Sequence, residues 1–522
     1  MQNQQLRTLA QTAAATCLAV TALTSSLFAT PGGNDDGNIV IKAGKVITLA
    51  GDAIENGTIV IENGRVTAVG KDIKYPWNAE VKEYPHSVAF PGFVEALSNS
   101  GMDRANENID VAAFLNVKDS LDPVSFFFED SLRAGVTTIN VQQGSGCVIG
   151  GMGYVVKPTG MTVEAMTVKP NSGIAMSAIP KQGKSRATQV LALRRAFSDL
   201  RSYLEGVVQE KKDGSDYSTR EALYQGREAD EETKKGRPMG GGTWTVENLD
   251  MIPRWEIDEK QAPLLGIVEG KTAVYFYCST PGDVHTAIKI ARVNGFLNRT
   301  VLSLDTACWK AADLIKEHNL PVILPSSLVH VERDPITGVE TETFLPTVFQ
   351  DKGIRFALRS AGSSAQSLWY QAALCVGHGM TRVQALAAVT TTPATILGLE
   401  KRVGSLATGS DGNVVIFSGD PLSVTSNVEF VVIEGNQAYD RSTDIRIRHL
   451  TTGSQPENTA PEVEPTEVHK HDDPIEEVKE ELDAGENEEE ENHEDDGDGH
   501  EDHEDHDHDG DGHEGHDDGE DN

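Results

Sequence analysis

The fifteen histidines of this 522-residue chain fall into two groups, and only one group has the spacing of a metal chelator. Nine lie beyond residue 450: His469, His471, His493, His500, His503, His506, His508, His513 and His516. In His503-Glu504-Asp505-His506-Asp507-His508-Asp509 imidazoles and carboxylates alternate. Such a donor set holds divalent cations weakly, because a flexible chain must be ordered at each binding event. Asp507, Asp509 and Asp511 before Gly512, with Asp518 at the twelfth place, imitate a calcium loop. So acidic a composition produces that match by itself, and no helical pattern flanks it. The other six histidines, His86, His285, His318, His330, His378 and His449, share no i, i+2 or i, i+4 ligand spacing. No Ser or Cys motif joins a nucleophile to a base.

Charge is distributed as unevenly as histidine. Residues 451–522 carry 32 Asp and Glu against Lys470 and Lys479, so −30 of the formal −36 lies there and the rest of the chain is mildly acidic at −6. A segment with so few apolar residues cannot offset its ordering entropy, and a disordered tail is expected at 451–522. Nucleic acid is not an expected partner. At the other end, a polar start through Arg7 precedes an apolar stretch from Thr8 to Phe28, and Ala29 offers a small residue for cleavage. Residues 1–29 read as a secretory signal peptide, which makes the protein exported, periplasmic or extracellular. A lipoprotein signal at Cys17 is weaker, since Thr16 precedes it. No later stretch approaches the ~18 continuous apolar residues of a membrane span, so no membrane association is expected after cleavage. Cys147, Cys278, Cys308 and Cys375 show no Cys-x-x-Cys pairing and are expected as buried free thiols, with a Cys278–Cys308 bridge as the alternative.

Between these ends the patterning is that of an α/β protein. Alternating runs at 38–49 and 57–70, with a turn at Glu62-Asn63-Gly64, predict strands of a small β domain. Runs near 413–417 and 428–437, with a turn at Glu434-Gly435-Asn436, have the same character. Inside, predicted strands at 89–98, 137–142, 272–279, 300–305, 321–325 and 354–359 alternate with predicted helices at 123–134, 187–208, 284–294, 307–317 and 382–389. That alternation argues for parallel βα units. Residues 150–158 and 161–179 suggest a hairpin excursion, and 211–247, charged and Gly-rich, a surface insertion.

Several segments together resemble the amidohydrolase superfamily, in its imidazolonepropionase-like branch. They are Pro91-Gly92-Phe93-Val94-Glu95-Ala96-Leu97-Ser98-Asn99-Ser100-Gly101, Gly135-Val136-Thr137-Thr138 with Gly144-Ser145-Gly146-Cys147-Val148-Ile149-Gly150-Gly151, and Thr390-Thr391-Thr392-Pro393-Ala394. Val403-Gly404-Ser405-Leu406, Gly409-Ser410-Asp411-Gly412-Asn413 and Gly419-Asp420-Pro421 complete the set. The resemblance implies a TIM-like (β/α)8 barrel at 91–400, inserted in a small β-sandwich that both chain ends build from 38–90 and 401–445. It also implies an ancestral activity on non-peptide C–N bonds, carried out by metal ligands at the carboxyl ends of the strands. At those positions this chain has Leu97 and Asn99, Tyr277 and Ser279, Leu304, and Ala361 after Ser360.

Every implied ligand is thus replaced at once. Catalytic Zn²⁺ needs about three protein ligands and an open position for water. With leucine and alanine at the strand ends no cofactor is expected in the barrel, only weak divalent cation binding by the tail. What remains there is polar: Glu95, Ser98, Asn99, Gln142, Lys181, Tyr277, Ser279, Asp305 and Arg359. These form either a pocket for a small polar ligand or a closed cluster whose groups pair with each other. The expectation is an inactive ligand- or partner-binding pseudoenzyme, with a homo-oligomer or a complex with an active amidohydrolase chain as possible assemblies. The alternatives are an active hydrolase of cyclic amides or dipeptides using non-standard ligands, and metal buffering by the tail.

Overall fold

The computed structural model describes residues 38–213, 238–239, 244–246, 249, 252–360 and 367–452. The expected signal peptide, the acidic tail, most of the 211–247 insertion and Ala361 lie outside the described residues.

Both ends of the described chain meet in one seven-stranded sheet. Ile39–Val46 pairs antiparallel with Ile54–Glu62 and parallel with Glu80–Phe90, and Glu80–Phe90 in turn pairs antiparallel with Val414–Phe417. Asn63 and Gly64 both adopt positive φ, 51° and 73°, and Glu434 and Gly435 do the same at 48° and 77°. Both are the left-handed pairs that tight hairpins require, so the two turns close where the sequence predicts them. Ile41, Ile59, Ile61, Ile416 and Phe430 fill one face. The strands expected of a sandwich thus share a single continuous ladder.

The strand predicted over 89–98 is in fact two. Gly92 turns the chain at φ 81°, so that Glu80–Phe90 stays in the seven-stranded sheet and Phe93–Ser98 opens a second layer. Phe93–Ser98 runs parallel to Val136–Val141. A further parallel series follows: Ile174–Ser177, Val274–Cys278, Thr300–Leu304, Val322–Leu324 and Phe356–Leu358. Their side chains alternate as a pleated sheet demands. Tyr275, Tyr277, Val301, Ile323 and Ala357 pack with Val94 and Leu97. Val274, Phe276, Leu302, Val322 and Phe356 pack in the larger core with Phe197, Ala287 and Phe349 from the surrounding helices. Among the described residues no ladder joins the last strand to the first. Instead the turn after the helix Arg382–Ala387 spans the seam: Val94 N–H donates to the Val389 carbonyl at 2.9 Å, and Leu358 N–H to that of Ala388 at 3.0 Å.

Three details depart from the sequence reading. The helix predicted at 307–317 opens as a 3-10 segment, Thr306–Ala311, before Ala312–Glu317 becomes α-helical. The helix predicted to end at 208 runs to Asp213. An exposed hairpin, Val329–Arg333 with Glu340–Phe344, occupies a stretch without predicted elements. The expected excursion is built from Ile149–Met152, Tyr154–Val156 and Thr167–Lys169. All four described cysteines are free and buried. No helix among the described residues is long and apolar enough to cross a membrane.

Candidate functional site

Phe93–Ser98 is buried at every position, and in its middle sits a carboxylate, Glu95, with no exposed surface. Its Oε2 accepts the Ser360 backbone N–H at 2.9 Å, while Oε1 has no partner among the described residues. Burial pushes its pKa up to about 7, against the hydrogen bonds from Ser360 and the charge of Arg359. A carboxyl so placed holds or releases a proton near neutrality.

Beside it a cavity of about 210 Å³ opens at the carboxyl ends of the parallel strands. Leu97, Ser98 and Asn99 contribute one wall, and the Gly144-Ser145 loop another. Tyr277, Ser326, Arg359 and Ser360 come from three later strand ends. The loop fits closely: a methyl group on Gly144 would stand 3.1 Å from Asn99 Nδ2 and 3.2 Å from the Asn106 amide. Among the described residues Arg359 is the one charged group of the lining. Its Nη1 reaches Ser303 Oγ at a marginal 3.5 Å, and it makes no ion pair among the described residues. Nearby Asp305 is half-buried; burial raises its pKa and the Arg359 charge opposes the rise.

The donor set does not fit a hydrolytic metal. Leu97 and Leu304 are buried hydrocarbon. Tyr277 donates its hydroxyl to the Gln143 carbonyl at 2.7 Å, and burial holds its pKa far above the range in which a phenolate ligand forms. Ser279 is committed to the start of the helix Pro281–Val293, where its Oγ and N–H both donate to Asp283 Oδ2, at 2.9 and 3.1 Å. Burial pushes the Cys278 thiol well up, disfavouring the thiolate a metal would need. Among the described residues no three His, Cys, Asp or Glu side chains are grouped to hold a metal ion.

Of the nine candidate residues, the cavity wall gathers Ser98, Asn99, Tyr277 and Arg359, with Glu95 directly behind Ser360. The others are engaged elsewhere or set back from the wall. Gln142 donates to Ser172 Oγ at 2.9 Å inside the core, Ser279 donates to Asp283 in the first turn of a helix, and Asp305 follows its strand without lining the cavity. Lys181 donates to the carbonyls of Glu107, Asn108 and Ile109 at 3.0, 2.6 and 3.3 Å, fastening that loop. Ser145, Ser326 and Ser360 line the cavity without standing among the nine candidates; Ser145 lies inside the Gly144-Ser145-Gly146 motif, and Ser360 precedes Ala361 at the family position named above, signals that could have flagged both. His330 does not line the cavity, and its Nδ1 lies 3.1 Å from Thr306 Oγ1. The tail histidines His500, His503, His506, His508, His513 and His516 lie outside the described residues.

Known proteins resemble this chain in part of its sequence and in its fold. The model of the Amidohydrolase family matches residues 372–439. Amidohydrolase tasK of Hapsidospora irregularis is 36% identical over 77 residues, which are 15% of this chain and 8% of that protein. The chain therefore spans under a tenth of the length of that curated relative. An amidohydrolase of Thermotoga maritima MSB8 superposes with a TM-score of 0.61 at 24% identity, over 77% of this chain and 100% of the other. That likeness is one of fold.

Proposed function

We propose that this chain, which belongs to the amidohydrolase superfamily, binds a small polar molecule at the strand-end cavity and does not hydrolyse it. In this reading the parallel strands form the family's barrel, closed across the seam that Glu95 and Ser360 bridge. One observation carries the proposal: Leu97, Asn99, Tyr277 and Leu304 stand at the strand ends where the resemblance calls for metal ligands, and the Tyr277 hydroxyl is spent on a backbone carbonyl. A water ionised by a metal, and a base to move its proton, both need side chains that this set lacks. Arg359, polar amides and hydroxyls are suited to recognition. Export through residues 1–29 and weak cation buffering by the tail belong to the same reading.

Metal content tests it. Elemental analysis of the protein truncated after residue 452, beside the full-length chain, is expected to find no stoichiometric metal in the short form and labile divalent cation only in the long one. One or two tightly held equivalents in the truncated protein, with turnover of cyclic amides or dipeptides, would overturn the proposal in favour of an active hydrolase with non-standard ligands.

A further inference from the structure

We infer that the cavity takes a small carboxylate, with the Arg359 guanidinium as its anchor. This rests on the reading of the cavity as a ligand site and names the ligand's chemistry. Arg359 is only partly exposed, yet no carboxylate among the described residues lies within ion-pairing distance of it. The guanidinium fork suits bidentate pairing with an anion, and among the described residues its side-chain hydrogen bond is a 3.5 Å approach to Ser303 Oγ. The other described cavity residues are uncharged, and Asp305 and Glu95, which feel the Arg359 charge, neither line the cavity nor form an ion pair with it. The segment that follows, Ala361-Gly362-Ser363-Ser364-Ala365-Gln366, brings no charge of its own.

The remaining wall suits the rest of such a ligand. The Asn99 amide both donates and accepts, and the Ser98, Ser145 and Ser326 hydroxyls do the same, so they can meet an amide or hydroxyl attached near the carboxylate. Leu97, in the same lining, offers apolar surface to a short carbon chain. A volume of about 210 Å³ limits the guest to the size of an amino acid or a short acyl derivative. The Tyr277 hydroxyl is committed to Gln143 and fixes the shape of the wall.

The test uses two probes of nearly equal size, N-acetylglycine and its neutral isostere N-acetylglycinamide, titrated calorimetrically into the full-length protein at about 0.15 M salt, which screens the acidic tail. N-acetylglycine is expected to bind about tenfold or more tightly than the amide. Arg359→Gln is expected to remove that preference, and Arg359→Lys to keep part of it. Thermal unfolding of each variant confirms that it is folded, and the comparison of probes on the unaltered protein needs no variant. Equal affinity for the two probes, or an Arg359→Gln protein with undiminished preference, overturns the carboxylate and leaves a neutral-ligand site. Failure of both probes to bind up to about 10 mM overturns it as well. Stoichiometric metal in the truncated protein is the separate result that removes the binding-protein reading itself.

Discussion

Ser360 donates its backbone N–H to Glu95 Oε2 at 2.9 Å, and this bond ties the end of the last parallel strand to the middle of the first. The acceptor is a fully buried carboxyl whose pKa burial raises from 4.5 to about 7. A group whose pKa is higher in the folded state favours folding below its unfolded value and loses that contribution as pH rises through the folded one. The contribution is therefore complete near pH 4.5 and gone above about pH 7. Glu95→Gln, which mimics the protonated form and keeps an acceptor for Ser360, should be neutral in stability at pH 4.5. It should be more stable than the natural protein by up to about 3 kcal/mol at pH 8. Urea unfolding at both pH values checks this; a difference that does not change with pH would show that Glu95 titrates normally.

Much of this architecture is legible in the sequence, because it rests on local signals. Asn63-Gly64 and Glu434-Gly435 specify tight turns, and alternating or continuous apolar runs mark the strands on either side. The break at Gly92 is legible as Pro91-Gly92 and as the boundary expected between residues 90 and 91, yet the apolar pattern runs straight through it from Phe90 to Phe93, both buried core residues, and so reads as one strand. The hairpin from Val329 to Phe344 escapes notice for the opposite reason: its strands are largely exposed and polar, and carry no buried face to set a period. The cavity is partly legible. Asn99, Tyr277 and Arg359 stand out because they end apolar runs. Ser326 does not, because a serine at a strand end is indistinguishable from a turn residue until the strands are assembled. Lys181 and Ser279 mislead for the same reason: only the fold reveals that loop carbonyls and Asp283 already satisfy them.

Asp444 fastens the last described helix, Ile445–Thr452, to the body. Its carboxylate accepts Arg133 Nε at 2.7 Å, the Tyr439 hydroxyl at 2.9 Å and the Arg446 N–H at 2.9 Å. Burial works against its ionisation, but the bonds from Arg133 and Tyr439 outweigh it and hold the pKa down at about 2, against 3.8 ordinarily. A depressed pKa stabilises the fold above the unfolded value and ceases to do so as pH falls through the folded one. Asp444→Asn should therefore cost about 1–3 kcal/mol at neutral pH, with the deficit shrinking between pH 3.8 and about 2. Denaturation midpoints across that range provide the measurement, and a cost that persists at pH 2 would mean the charge is not its origin.

Two arginine–aspartate pairs separate burial from mere proximity. Asp411, with a side chain 2% exposed, receives Arg402 Nη2 at 2.8 Å and Arg65 Nη1 at 2.7 Å, and Arg402 also donates to the Val168 carbonyl at 2.7 Å. Arg382 pairs with Asp420 where both side chains are exposed, at 40% and 47%. Removing a partner from a buried carboxylate loses charge-assisted hydrogen bonds in a site that water does not refill, whereas an exposed pair exchanges its partner for solvent. Arg65 still pairs with Asp411 when Arg402 is gone, so Arg402→Ala should lose about 2 kcal/mol and Arg382→Ala no more than about 0.5 kcal/mol. Comparable losses in guanidinium titrations of the two variants would contradict the role of Arg402 in joining Asp411 to the strand Thr167–Lys169.

Gly92 is where the chain passes from one sheet to the next, and two separate forces demand glycine there. Its φ of 81° is costly for any residue with a Cβ. That Cβ would also stand 2.3 Å from Thr137 Cγ2 and 2.5 Å from Thr137 Oγ1, in a neighbour with 1% exposure on the adjacent parallel strand. Gly183 has the same φ of 81° but nothing within 4 Å of its added methyl. The pair therefore divides the backbone cost from the clash. Gly183→Ala should destabilise by about 1–2 kcal/mol, the left-handed backbone alone. Gly92→Ala should lose that amount and about 1–3 kcal/mol more, because Thr137 cannot move without disturbing the Phe93–Ser98 pairing. Denaturant titration of both variants measures the difference directly. If they lose the same stability, the contact with Thr137 relaxes freely, and the junction that sets Glu95 and Leu97 in register is looser than its packing implies.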